Sequence, residues 1–161
     1  MIKSILFAGL VALTAPALYA QGSSVAFGAI QQDTSAPIEA SADNLAVDQT
    51  TGIATLTGNV VIGQGEMRLT AAKVEIVYLS TQSGISRLEA TGDVTLVSGP
   101  DAAEAQNADY DVERGTIVMT GDVLVTQGQS ALTADRMTVN LDDGTAQMTG
   151  RVKTILQTGQ N

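Results

Sequence analysis

A short element, TG-x-V, occurs four times in this chain: TGNV at Thr57, TGDV at Thr91, TGDV at Thr120 and TGRV at Thr149. The spacings are 34, 29 and 29 residues. Repetition at this period marks stacked supersecondary units, because one such unit cannot bury an apolar face alone. The likeness runs beyond the element. From Thr57 to Val77, 8 of 21 positions are identical, without a gap, to Thr120–Asn140.

A second element alternates with the first. It reads SADNLAV from Ser41, TAAKVEI from Thr70, QNADYDV from Gln106 and TADRMTV from Thr133. Turn-forming clusters separate the two: DQTTG at Asp48, STQSG at Ser80, ERG at Glu113 and DDG at Asp142. Each unit therefore reads as a hairpin, one strand of each kind joined by a Gly- and Asp-rich turn.

Alternation confirms strands. Ala54, Leu56, Gly58, Val60 and Ile62 share one parity, and so do Leu88, Ala90, Gly92, Val94 and Leu96. The third set is Ile117, Met119, Gly121, Val123 and Val125; the fourth is Ala146, Met148, Gly150, Val152 and Thr154. The opposite parity is polar, as in Glu89, Thr91, Asp93 and Thr95. A period of two puts one face inside and one in water. In the second element Val74, Ile76 and Tyr78 correspond to Met137, Val139 and Leu141, with Leu45/Val47 and Tyr110/Val112 as relatives. Met67, Leu69 and Ala71 carry the other parity, so a bulge or corner is expected near 71–73 and 134–136. The glycine of each TG-x-V falls on the inward parity, where a missing side chain would permit a bend.

Composition narrows the chemistry. The 161 residues suit one domain. There is no Cys and no His, which removes disulfides, the common zinc sites and the usual nucleophile–base pairs. GQGE at Gly63 is not followed by a helical pattern and reads as a turn rather than a phosphate cradle. DDG at Asp142 lacks the spacing of a calcium loop. Residues 1–20 have one Lys, an apolar run from Ile5 to Leu13 and then small residues, the pattern of a signal peptide cut after Ala20. Ala17 and Ala26 are other small-residue cleavage points. Loss of Lys3 leaves 7 basic against 17 acidic residues, a net charge of −10. Such a chain is a poor partner for nucleic acid. Residues 21–37 read as a flexible leader, 38–156 as one β-domain and 157–161 as a tail. VSGPDAAEAQ (97–106) breaks the regularity of the second unit.

IEASADNLAVD, TLTGNVVIGQGEMRLTAAKVEI, EAQNADYDVERGTIVMTGDVLVTQG and LTADRMTV together resemble the OstA-like (LptA) family of periplasmic lipopolysaccharide-transport proteins. The resemblance runs from about Ile38 to Leu156. It implies an all-β, twisted β-jelly roll of stacked antiparallel hairpins, open at both ends, whose interior shields lipopolysaccharide acyl chains. It also implies copies joined head to tail as a bridge between inner and outer membranes, with OstA-like domains of the inner- and outer-membrane components as partners. The resemblance further implies that an ATPase complex elsewhere does the work, so no enzymatic activity and no cofactor are expected. The lining expected from parity is Leu56, Val60, Ile62, Leu69, Val74, Ile76, Leu88, Val94, Leu96, Ile117, Met119, Val123, Val125, Leu132, Met137, Val139, Met148 and Val152.

Two other readings stay open. One is a structural β-stack with a dry core, serving as an assembly or adhesin element. The other is the related inner-membrane component, which would keep its N-terminal segment as an anchor. The two ends differ in charge: Glu39, Asp43 and Asp48 lie at the first edge, Arg151 and Lys153 at the last. That asymmetry favours head-to-tail contact over a symmetric dimer.

Overall fold

The computed structural model describes residues 23–26, 34–80 and 84–155. The segment expected to be a signal peptide lies outside them. Among the described residues the chain forms eleven strands: β1 (Ser23–Ala26), β2 (Glu39–Ser41), β3 (Asn44–Asp48), β4 (Ile53–Gln64), β5 (Met67–Tyr78), β6 (Ile85–Ser98), β7 (Asp101–Asp111), β8 (Thr116–Gln127), β9 (Ser130–Asn140), β10 (Thr145–Thr149) and β11 (Lys153–Ile155). All pairings are antiparallel. The order is β1-β10-β9-β8-β7-β6-β5-β4-β2, with β3 also on β4 and β11 also on β9.

The long strands turn a corner halfway along, and the corner is built by the repeat. In β4 and β5, Thr57 pairs Lys73 and Val60 pairs Ala71. Two residues, Gly58 and Asn59, thus oppose one, Ala72, which is a β-bulge. The same two-against-one step sets Gly92–Asp93 and Gly121–Asp122 against Gln106, and Gly121–Asp122 against Asp135. Each bulge holds two consecutive left-handed residues: Gly58 and Asn59 at φ 79° and 46°, Gly121 and Asp122 at 88° and 48°. Non-glycine residues in this region are short polar ones or, at Arg151 (φ 43°), ion-paired. The bulges align across the sheet and fold it into two layers. The first contains β1, β3, β10 and the halves of the long strands nearest them. The second contains β2, β11 and the other halves.

The glycines do not face inward as their parity suggested. A Cβ on Gly121 would lie 2.8 Å from the Cβ of Gln106, and one on Gly58 2.6 Å from Asp43 Oδ2. Both neighbours are exposed on the outer side of the corner. The left-handed backbone rotates the glycine outward and restores the parity of Val60 and its equivalents two residues later.

In the second layer, two-residue turns begin with Gly65, Gly99 and Gly128, all at positive φ, as tight hairpins favour. Gly99 belongs to the segment expected to be irregular. It forms an ordinary hairpin, Val97–Ser98 pairing Ala102 and Asp101. Its alanines hid the strand, because Ala has little β-preference.

The leader expectation also changes. Ser23–Ala26, within the segment expected to be a flexible leader, pairs antiparallel with Thr145–Met148 of β10. The carbonyls of Thr34 and Ala36 accept hydrogen bonds from Gln64 Nε2, both at 3.0 Å.

Candidate functional site

The inner faces of the two layers form one apolar core that runs along the whole domain. Alternating residues of every long strand enter it. Ile117, Met119, Val123 and Val125 of β8 are wholly buried, as are Met137 and Val139 of β9. Of the 18 residues expected to line an interior, 17 are buried. Val152 is the exception at 37% exposed. Its parity is inward, but it precedes β11, the last described strand of the second layer, and no strand among the described residues covers it from beyond. Thr154 is exposed for the same reason.

The other end is open in the same way. Leu45 pairs Leu56 and Val47 pairs Ala54, so both share the inward face of β4. Yet they are 63% and 61% exposed. The apolar stripe therefore continues to the rim of the domain and ends in water.

Several interior positions were not in the expected lining. Ala103, Ala105, Ala108 and Ala146 are small, buried and opposite larger residues. Tyr110 is fully buried, and its hydroxyl donates to Gln64 Oε1 at 2.8 Å. Tyr110 belongs to the first layer and Gln64 to the far end of β4 in the second, so this bond joins the layers on the side away from the corner. Gln64 continues to the Thr34 and Ala36 carbonyls. Burial pushes the Tyr110 phenol above its ordinary range, and the bond to Gln64 offsets part of that. GQGE had pointed to a turn only; Gln64 continues the inward parity of Val60 and Ile62, but a polar side chain there gave no sign that it would be buried.

The outer surfaces are polar and largely self-paired. A cleft of about 620 Å³ on the first layer is lined by Arg87, Asn107, Asp109, Asp111, Arg114 and Arg136, among others. Arg87 pairs with Asp109 and Glu89, and Arg114 with Asp111. Exposed pairs like these contribute little to stability. Among the described residues no cluster of His, Cys, Asp and Glu could hold a metal. No helix there is long and apolar enough to cross a membrane. What the interior can do chemically is exclude water from hydrocarbon.

A family model described as LptA/(LptD N-terminal domain) LPS transport protein matches residues 39–145. An uncharacterised protein of Rhizobium meliloti (strain 1021) is 30% identical over 114 residues, 66% of this chain. The chain spans 61% of that relative's length. Among solved structures, LptH from Pseudomonas aeruginosa superposes with a TM-score of 0.70. It is described as the LptA-homologous periplasmic component of the conserved lipopolysaccharide transport device. The match covers 79% of this chain and 99% of LptH at 19% identity, and shares the β-jelly-roll fold.

Proposed function

Because the chain belongs to the LptA/LptD N-terminal-domain family of lipopolysaccharide transport proteins, we propose that it is a periplasmic carrier whose β-jelly roll shields lipopolysaccharide acyl chains. We propose further that copies, or this chain and related domains of membrane components, join end to end to bridge the two membranes. The carrying observation is the apolar lining that reaches the rim at both ends, through Leu45 and Val47 at one and Val152 at the other. A filled structural core would be expected to close its ends with polar residues. A conduit needs its stripe to meet the next one.

The energetics fit. Each methylene kept from water is worth about 0.8 kcal/mol, so several acyl chains amount to tens of kcal/mol. Nothing polar in the interior could match that, and the acidic excess, a net charge of −9 over the full sequence, would repel phosphate groups. Affinity would come from hydrocarbon burial, with no catalytic step. Entry requires the layers to part, since many lining residues, Val94 and Val123 among them, have no exposed surface. The corner bulges would be the hinge and the Tyr110–Gln64 bond the contact that yields. That same closure supports the second reading, a structural stack with a dry core.

Leu96 and Thr95 separate the two. Leu96 is 1% exposed, and Thr95 points to the outer face. Leu96→Asp puts a carboxylate in the lining, and Thr95→Asp does not. On the carrier reading Leu96→Asp loses binding of purified lipopolysaccharide at least tenfold and costs about 3 kcal/mol of stability. Thr95→Asp leaves both within error. A wild type that never binds lipopolysaccharide, with only stability falling in Leu96→Asp, would favour the stack.

A further inference from the structure

The edge of β10 carries a strand that does not belong to the repeat. Every earlier TG-x-V strand is followed, in fixed register, by a second-element strand: Leu56 faces Val74, Ala90 faces Ala108, and Met119 faces Met137. After β10 no second element remains among the described residues. β1 stands in that slot instead, with Ser23 facing Met148 and Val25 facing Ala146. At the opposite end of the same layer is a strand of the right kind with nowhere to go. β3 is the start of the repeat, carries the second-element sequence NLAVD, and among the described residues pairs only with β4.

We propose that β1 is an exchangeable cap on the β10 edge, holding the slot that β3 of a second copy takes when copies join. The inference rests on the end-to-end reading above and adds what governs it. In the register of the earlier units, the incoming Leu45 would face Met148 and Val47 would face Ala146. β3 offers five residues against the four of β1. It also brings two apolar side chains that are more than 60% exposed in the single copy. Burying them favours exchange.

The rest of the junction is already complementary. In the second layer β11 and β2 are uncapped among the described residues, with Lys153 on one and Glu39 on the other. Along the corner the single residues opposite the bulges are Asp43, Ala72, Gln106 and Asp135. Arg151 follows Asp135 and donates to it at 2.8 Å. Asp43 of the next copy would come next in that line, on the free side of Arg151. Three of the four terminal edges are thus ready, and β1 alone stands in the way. The cap requires processing that keeps Ser23–Ala26 on the chain, as cleavage after Ala20 does.

The absence of native cysteine makes a clean test. Facing Cα atoms of an antiparallel pair lie within the range a disulfide spans. Val25→Cys/Ala146→Cys would therefore lock β1 in place when oxidised and release it when reduced. Three forms starting at Gln21 or later are compared by light scattering over a concentration series: locked, reduced, and lacking residues 21–26. The locked form is expected to stay monomeric where the reduced form grows. The shortened form is expected to grow at concentrations at least tenfold lower than the intact chain. Growth of the locked form equal to that of the reduced form would overturn the cap. Growth of shortened and intact chains at the same concentration would also overturn it, leaving end-to-end assembly standing. A shortened form that stays monomeric throughout would remove the end-to-end reading itself.

Discussion

Gly121 shows how much one position of the repeat must satisfy. Its φ of 88° disfavours any side chain, and a Cβ would meet Gln106 at 2.8 Å. Gly99, at φ 55°, has nothing within 4 Å of its Cβ position. The left-handed backbone alone costs a side chain about 1–2 kcal/mol. Gly99→Ala should therefore lower stability by about 1 kcal/mol. Gly121→Ala should lower it by more than about 2 kcal/mol, since the Gln106 backbone must also move. Urea unfolding of the two variants checks the order; equal losses would mean that the corner tolerates a side chain. The fourfold recurrence of the glycine was plain in the sequence, and so was the need for a corner. Its outward direction was not, because parity assumes ordinary strand dihedrals and two consecutive left-handed residues break that assumption. Gln64 was hidden for a different reason: its parity is inward, but the partner that lets a polar side chain be buried there, Tyr110, lies 46 residues away.

At the scale of elements, alternation located the long strands and nearly all of the lining. It failed where strands are short or edge-placed. β1 has four residues of weak pattern and pairs with a strand more than 100 residues later, which no local signal encodes. Leu45 and Val47 have inward parity but lie on an end strand, and Val152 lies just before another, so parity alone could not give their exposure. β11 is the simplest element to remove. Its three residues are all exposed, and it pairs only Ala131–Thr133 of β9. Arg151 before it holds Asp135 in an exposed ion pair. Truncation after Gly150 should cost about 1 kcal/mol or less and leave the far-ultraviolet circular dichroism unchanged. It should nonetheless abolish concentration-dependent growth, because the second-layer edge and its basic residues go together. A truncated chain that still grows would place the junction elsewhere.

The whole molecule is a sheet folded once along a line of bulges, with an apolar stripe that runs past the covered core at both ends. Apart from β1 on the β10 edge, each end of the described sheet presents edge strands and inward-facing apolar residues of different charge surroundings. The carrier reading we propose makes one demand that a dry stack does not: hydrocarbon must occupy the interior. The most direct measurement is native mass spectrometry of the chain isolated without detergent from the cells that make it. The expected spectrum contains, beside the bare chain, a species heavier by one lipopolysaccharide molecule, and this species is absent from Leu96→Asp and retained in Thr95→Asp. A spectrum of bare chain alone, from protein that is folded and has been exposed to its own cell's lipopolysaccharide, would contradict the carrier and leave a structural stack.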